Sequence, residues 1–193
     1  MAVKNLFDFL LALLLLPFLL PVIFILIILS TADTGQFGLF SQIRIGKEGK
    51  PFLIFKIRTM KGDQESDITT LKTHKITAIG NFIRKTKLDE LPQLFNVILG
   101  QMSFVGPRPD VPGYADQLSG EDRQMLTVRP GITGPAQLKF RKEEEILNLQ
   151  DDPKKYNDEV LWPEKVKINL EYVRNRSFGL DLKYIADTIF KFK

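Results

Sequence analysis

Two adjacent carboxylates, Asp89 and Glu90, stand in the segment KLDELPQLF (residues 87–95), directly behind Arg84, Lys85 and Lys87. Acids beside cations, ahead of a proline and an apolar run, are the parts from which a phosphoryl-transfer site is made. A helix start offers free N–H groups and the positive end of the helix dipole, and both favour bound phosphate. Cations next to a carboxylate favour its charged form, so Asp89 is expected to be held ionised with a lowered pKa. An ionised Asp is a competent nucleophile toward a phosphorus whose charge has been neutralised. The plainer role for such a pair is capping at a helix start, with the basic residues only balancing it. The segment alone leaves both roles open.

Neutralising phosphate needs further cations held in stiff surroundings. Arg58 in FKIRTM, Arg108 in GPRP and Arg129 ahead of PGITGP are candidates. Arg108 lies between Pro107 and Pro109, which restrict the backbone and lower the entropy lost when a forked guanidinium clasps phosphate. The chain has no cysteine, and His74 is its only histidine. Disulfides and thiolate metal sites are therefore excluded, and a single histidine argues against zinc. A metal bound here is expected to be a hard, oxygen-ligated one, with Mg²⁺ shared between a carboxylate and a diphosphate the natural choice. His74 sits in a polar stretch and reads as an ordinary surface residue.

These side chains must be positioned by the elements around them. FSQIRIGKEGKPFLIFKIRTM holds two extended runs joined by a Gly-containing loop, a β-hairpin signal. Residues 61–77 are polar without periodicity and read as a loop. IGNFIRKT reads as a short helix carrying Arg84. In LDELPQLFNVILG, Asp89 is placed to cap, Pro92 suits a first turn, and Leu91, Leu94, Phe95, Ile98 and Leu99 share a face. Gly100 is the natural stop. MSFV follows as a short strand, then proline-stiffened loops over GPRPDVPG, RPGITGP and DDPKKY. A charged helical pattern covers residues 159–175. At the end Phe178, Leu182, Ile185, Ala186 and Ile189 recur at helical spacing opposite Asp181, Lys183 and Asp187. That amphipathic helix suits a membrane surface or docking on the domain core.

Composition is uneven along the 193 residues, which carry a formal charge of +4. Phe9 to Leu29 contains no polar side chain, while the remainder is rich in charge. A helix of that run is about 31 Å long, enough for a bilayer core, and too long for the core of a signal peptide. Lys4 precedes it, whereas Arg44, Lys47, Lys50, Lys56, Arg58 and Lys61 follow, so the soluble part is expected in the cytoplasm. Basicity suits nucleic acid, phosphorylated ligands or an anionic membrane, and the apolar segment favours the last two. Pro17 and Pro21 complicate the span. From these residues a kinked transmembrane helix and a broken helix that dips into one leaflet and returns are both open.

The stretches FKIRTM, TKLDELPQLFNVILGQMSFVGPRPDVP, VRPGITGPAQ and LDLKYIADTI, in this order, resemble those of bacterial sugar transferases. These are the small monotopic phosphoglycosyl transferases that start glycan assembly on a polyprenol phosphate. The resemblance implies an α+β fold: a re-entrant membrane helix–break–helix over residues 1–36 with its break at Pro17 and Pro21, then a mostly helical cytosolic catalytic domain over 37–193 with a short β-hairpin and a surface amphipathic helix. It implies an enzyme at the cytoplasmic face of the bacterial inner membrane, with UDP-sugar, undecaprenyl phosphate and membrane lipid as partners. No nucleic acid is implied, and a homo-oligomer is admissible. Asp89 is implied as the nucleophile on the β-phosphate, releasing UMP and forming an aspartyl–phosphosugar that polyprenol phosphate then resolves. Glu90 is implied to help hold Mg²⁺ or to handle a proton. Arg84, Arg108 with Pro109, and Arg129 are implied to hold phosphates or nucleotide, and Lys56 and Arg58 to bind substrate less specifically. The family's break often carries Ser-Pro, where this chain has Leu20-Pro21. A membrane-bound Mg²⁺-dependent hydrolase and a noncatalytic scaffold for glycan enzymes are the competing readings.

Overall fold

A run without polar side chains satisfies its backbone internally only as a helix. In the computed structural model, which describes residues 2–62 and 75–190, that helix is α1 (Ala2–Thr34), with Pro17 and Pro21 inside it. Among the described residues it is the one helix long and apolar enough to cross a membrane. At about 100° per residue, Asp8, Ala12, Ile23, Leu26, Ser30 and Thr34 fall on one stripe, and all are buried. Pro17 and Pro21 lie on the opposite, exposed side. The helical assignment is continuous through both prolines, so the expected break does not interrupt the helix.

The chain forms two units, Met1–Ile43 with Leu53–Gly100, and Arg44–Phe52 with Gln101–Lys193. In the first, the predicted hairpin is present as β1 (Leu39–Ile45) and β2 (Pro51–Ile57), whose connecting turn belongs to the second unit. The loop expected over residues 61–77 is described only at its edges, where β3 (Met60–Lys61) pairs antiparallel with β4 (Lys75–Ile76). His74 lies outside the described residues. The short helix carrying Arg84 is α2 (Ala78–Lys85), capped by Thr77, whose hydroxyl accepts from the Gly80 amide at 2.8 Å.

The next helix differs from expectation. Lys87 takes the left-handed conformation (φ 57°), ending α2, and the chain re-enters as a 3-10 turn over Leu88–Glu90. Helix α3 (Gln93–Ile98) begins only after Pro92, without a side-chain cap, so Asp89 does not cap it. Its buried face is Gln93, Leu94, Asn96 and Val97, while Leu99 is exposed and Gly100 (φ 73°) closes the helix as predicted. Ile23 and Leu26 of α1, Ile57 of β2 and Ile83 of α2 form one core cluster, against which Leu88, Leu91 and Phe95 pack.

Asn96 joins α3 to the hairpin. Its Oδ1 accepts from the Phe55 amide at 3.1 Å, and its Nδ2 donates to the Leu53 carbonyl at 2.7 Å. Both groups of β2 lose this partner in an Asn96→Ala protein. The expected cost is about 2 kcal/mol or more, read as a lower urea midpoint.

In the second unit, β5 (Ser103–Val105) and β6 (Gly131–Thr133) pair in parallel, Ser103 with Gly131 and Val105 with Thr133. Helices α4 (Pro135–Lys139), α5 (Glu143–Asn148) and α6 (Pro153–Tyr156) lead through a π turn into α7 (Trp162–Asn175). Val166 and Leu170 of α7 pack with Ile45, Ala115, Met125 and Leu126. Helix α8 (Phe178–Phe190) is the predicted terminal helix, and one face docks on the core. Leu180, Tyr184 and Ile185 pack against Val105, Tyr172 and Val173, and the Tyr172 hydroxyl donates to buried Asp181 at 2.6 Å. Phe178, Leu182 and Ile189, from the predicted apolar stripe, stay exposed.

Candidate functional site

The turn made by left-handed Lys87 and the 3-10 residues places Asp89 and Glu90 between two leucines, Leu88 and Leu91, that are partly buried and pack against the α1 cluster. A bulky residue at positive φ is costly, and the surrounding fold must enforce it. Here the backbone itself holds the turn: the Lys87 amide donates to the Arg84 carbonyl at 3.0 Å, and the Glu90 amide to the Lys87 carbonyl at 3.2 Å.

Glu90 is buried. Asp89 is half-buried, but its Oδ1 is out of solvent and has no hydrogen-bond partner among the described residues. Burial raises the Asp89 pKa above the ordinary carboxylate range; Lys56, Lys87 and Arg84 oppose the rise, and Glu90 adds to it. The sequence expectation of a lowered pKa is therefore corrected. Cations do surround the carboxylate, but the loss of water outweighs them. Lys85, counted among those cations from the sequence, points to solvent and is not one of the charges acting on Asp89.

Lys56, Arg84, Asp89 and Glu90 are thus brought together in the first unit. Arg58 is in the same unit and is held elsewhere. Its Nε donates to the Phe37 carbonyl at 3.0 Å, its Nη1 to Gln36 Oε1 at 3.1 Å, and its guanidinium lies 5.2 Å from the Phe40 ring centroid. It ties β2 to the chain leaving α1.

Arg108, Pro109 and Arg129 belong to the second unit, where two of the proline-stiffened loops are laced side by side. The Gly131 amide donates to the Pro107 carbonyl at 2.8 Å, and the Gly106 amide to the Thr133 carbonyl at 3.0 Å. A Cβ on Gly106 would sit 2.5 Å from the Arg129 carbonyl oxygen, and one on Gly131 2.1 Å from the Gly106 nitrogen. Only glycine lets the loops approach this closely. Pro107, Pro109 and Pro130 are buried while Arg108 and Arg129 remain half-exposed on that stiff backbone.

The sequence profile of the bacterial sugar transferases matches residues 1–193. The chain belongs to this family. It is 35% identical to the uncharacterized sugar transferase EpsL of Bacillus subtilis over 192 residues, covering 99% of this chain and 87% of that one. It is also 35% identical, over 200 residues, to the UDP-glucose:undecaprenyl-phosphate glucose-1-phosphate transferase of Klebsiella pneumoniae, of which it spans 40%. A putative undecaprenyl-phosphate N-acetylgalactosaminyl 1-phosphate transferase of Bacillus subtilis is 41% identical over 124 residues, 63% of this chain and 69% of that one.

In this bacterial sugar transferase several structural features near these residues stand out less plainly in the sequence. Lys87 was counted as a charge, but its left-handed backbone carries no sequence signal in a non-glycine residue. Asn96 was visible as a lone amide within the apolar LFNVI run and could have been flagged. Asp110, next to the Arg108 loop, was missed. Burial pushes its carboxyl up to about 6, against the pull of Lys165, Arg44 and Arg108. Its carbonyl accepts from the Ile45 amide at 2.8 Å, and Lys165 is 2.6 Å from Glu143.

For an Asp whose folded pKa is raised, the folded state binds the extra proton. The stabilisation is complete below the unfolded value of about 3.9 and is lost as pH climbs through the folded value of about 6. Melting temperature is therefore expected to fall between about pH 4 and 6. Asp110→Asn should flatten that slope, as a pH series of melting curves would show.

Proposed function

We propose that this chain moves a sugar 1-phosphate from a UDP-sugar to a polyprenyl phosphate at a membrane surface, as a phosphoglycosyl transferase with Asp89 as nucleophile. The carrying observation is the unpartnered, desolvated Oδ1 of Asp89 among Lys56, Arg84 and Lys87. A carboxylate stripped of water and of hydrogen bonds keeps its lone pairs available and is a stronger nucleophile than a solvated one. The nearby cations offset the charge of an approaching diphosphate.

In the first step a carboxylate oxygen of Asp89 bonds to the β-phosphorus, and the bond from that phosphorus to the α,β-bridging oxygen breaks. UMP leaves with the bridging oxygen, and the sugar phosphate stays as an acyl phosphate on Asp89. In the second step a phosphate oxygen of the polyprenyl phosphate bonds to the same phosphorus. The acyl–oxygen pair returns to Asp89, giving polyprenyl diphosphate-sugar and the free carboxylate. A covalent relay lets a water-soluble donor and a lipid acceptor use one site in turn.

Asp89 and Glu90 also fit Mg²⁺, since adjacent carboxylates with an orphaned buried oxygen supply hard oxygen donors and leave remaining positions for diphosphate and water. Bound there, the ion would neutralise phosphate charge. Glu90 serves either as its second ligand or in handling a proton. Arg108 and Arg129, on their laced loops, hold phosphate or nucleotide.

The membrane reading rests on α1. Leu88 and Leu91, which flank the dyad, pack against Ile23 and Leu26 within its apolar stretch, so the reactive turn is tied to the segment that meets lipid. Prolines on the exposed side opposite a buried stripe suit a re-entrant bend with both ends on the cytoplasmic side of the inner membrane. On this reading residues 1–36 anchor the protein and 37–193 carry out the reaction. Purified protein supplied with Mg²⁺ and a panel of UDP-sugars tests the function through UMP release. Sustained UMP release that requires polyprenyl phosphate supports the transferase. Many turnovers without lipid identify a hydrolase instead.

A further inference from the structure

Helix α4 begins beside the two laced loops and sends one side chain to both. Gly134 precedes it, and a Cβ there would sit 2.2 Å from the Gly106 carbonyl oxygen, so the helix starts against the loop backbone. Gln137 is the third residue of α4. Its Nε2 donates to the Gly106 carbonyl at 3.5 Å and to the Gly131 carbonyl at 3.4 Å. An amide nitrogen carries two hydrogens, one for each carbonyl. The reverse orientation would set Oε1 against two carbonyl oxygens, so chemistry fixes which way the amide faces. Oε1 is thereby left out of solvent with no hydrogen-bond partner among the described residues, a cost that a freely turning glutamine would avoid by reaching water.

Backbone bonds from the Gly106 and Gly131 amides lace the loops to each other, and Gln137 adds a link from both of them to a helix. That helix is itself fixed, since Ala136 is buried and Lys139 pairs with Glu164 of α7. Gly106 lies two residues before Arg108, with Pro107 between, and Gly131 two after Arg129, with Pro130 between. Proline restricts the intervening backbone, so a shift of either glycine is passed on to its arginine. We propose that Gln137 is a positioning residue for the donor: it holds both loops on α4 at the spacing at which the Arg108 and Arg129 guanidinia meet one nucleoside diphosphate. This rests on the reading above that these two arginines hold phosphate or nucleotide. Gln137 itself touches no substrate, because its donor is engaged by the loops and its Oε1 is shielded.

The test uses the full chain in lipid nanodiscs and titration calorimetry with UDP and Mg²⁺, at a temperature well below melting. Arg108→Ala and Arg129→Ala are each expected to weaken UDP binding, which checks the reading beneath the proposal. Gln137→Met keeps the reach of the side chain and removes both donors. It is expected to raise the UDP Kd about tenfold, because the guanidinia remain but their spacing relaxes. Leu147→Ala, at a buried position of α5, lowers the melting temperature by opening a cavity and leaves the Kd unchanged. In an Arg108→Ala or Arg129→Ala background the added penalty of Gln137→Met falls to about twofold, as for groups that act through one another. Should the methionine variant fail to fold, Gln137→Asn, one methylene short of both carbonyls, is expected to show the same pattern. A UDP Kd unchanged by the Gln137 variants overturns the proposal. An equal loss in Leu147→Ala also overturns it, since the effect would then be one of general stability. So does a full tenfold penalty in the arginine backgrounds, which would put Gln137 itself on the ligand. Arginine variants that bind UDP as tightly as wild type sink instead the role given to the two loops, and the proposal with it.

Discussion

Asp89→Asn is expected to abolish UMP release, by roughly 10³-fold or more, as losses of a nucleophile generally do, and at the same time to raise the melting temperature. The first effect follows because an amide oxygen cannot form the acyl phosphate that the two steps share. The second follows from the direction of the pKa shift. Burial raises the Asp89 pKa, so ionisation is more costly in the folded protein than in the unfolded chain. Stability is full below the unfolded pKa and declines as pH rises through the folded one. A neutral amide of the same shape removes that penalty at every pH. An inactive yet more stable variant separates a catalytic carboxylate from a structural one, whose loss weakens the fold. Calorimetry and a UMP assay on the same preparation check both halves, and a lower melting temperature would assign Asp89 to structure.

Lys56→Met carries the second large effect. Lys56 is the strongest of the cations that draw the Asp89 pKa back down. Without it the nucleophile ionises at higher pH, so the acid limb of the pH–rate profile moves upward. On the acid side of the profile a larger fraction of Asp89 is protonated and inert. The donor phosphates also lose a cation, and the combined loss in kcat/KM at pH 7 is expected to be on the order of 10²-fold. Part of that loss should be recovered as the pH is raised, because alkaline conditions restore the carboxylate and leave only the missing phosphate contact. A loss of equal size at every pH would show that Lys56 acts on the substrate alone. Lys56→Arg, which keeps the charge, is expected to hold the limb near its wild-type position.

Much of the site could be read from residue order. The acids, the nearby cations and the prolines beside Arg108 and Arg129 are visible in sequence, as are the hairpin, the Arg84 helix and the strand at Ser103–Val105. Other features arise only from three-dimensional packing. Counting charges gave the wrong direction for Asp89, because desolvation depends on how deeply its turn is set against its surroundings. The residue types suit the dyad to a helix start, whereas the left-handed Lys87 delays α3 to Gln93. That conformation has no signal in a lysine. The spacing of the terminal helix suits either a membrane surface or the domain core. Asp181, assigned to the polar side, is buried against Tyr172 while part of the apolar stripe stays exposed. Arg58 ties β2 to Gln36 and Phe37, a tertiary contact that a strand pattern does not foretell.

A sugar phosphate parked on one carboxylate can be weighed. Active protein incubated with donor in the absence of any lipid acceptor, quenched under conditions that spare acyl phosphates and examined by intact-protein mass spectrometry, should gain the mass of one phosphosugar. Peptide mapping should place that mass on Asp89, and adding polyprenyl phosphate should discharge it. If a preparation that completes the overall transfer never carries the added mass, the donor and acceptor must react directly, and the role assigned to Asp89 is wrong.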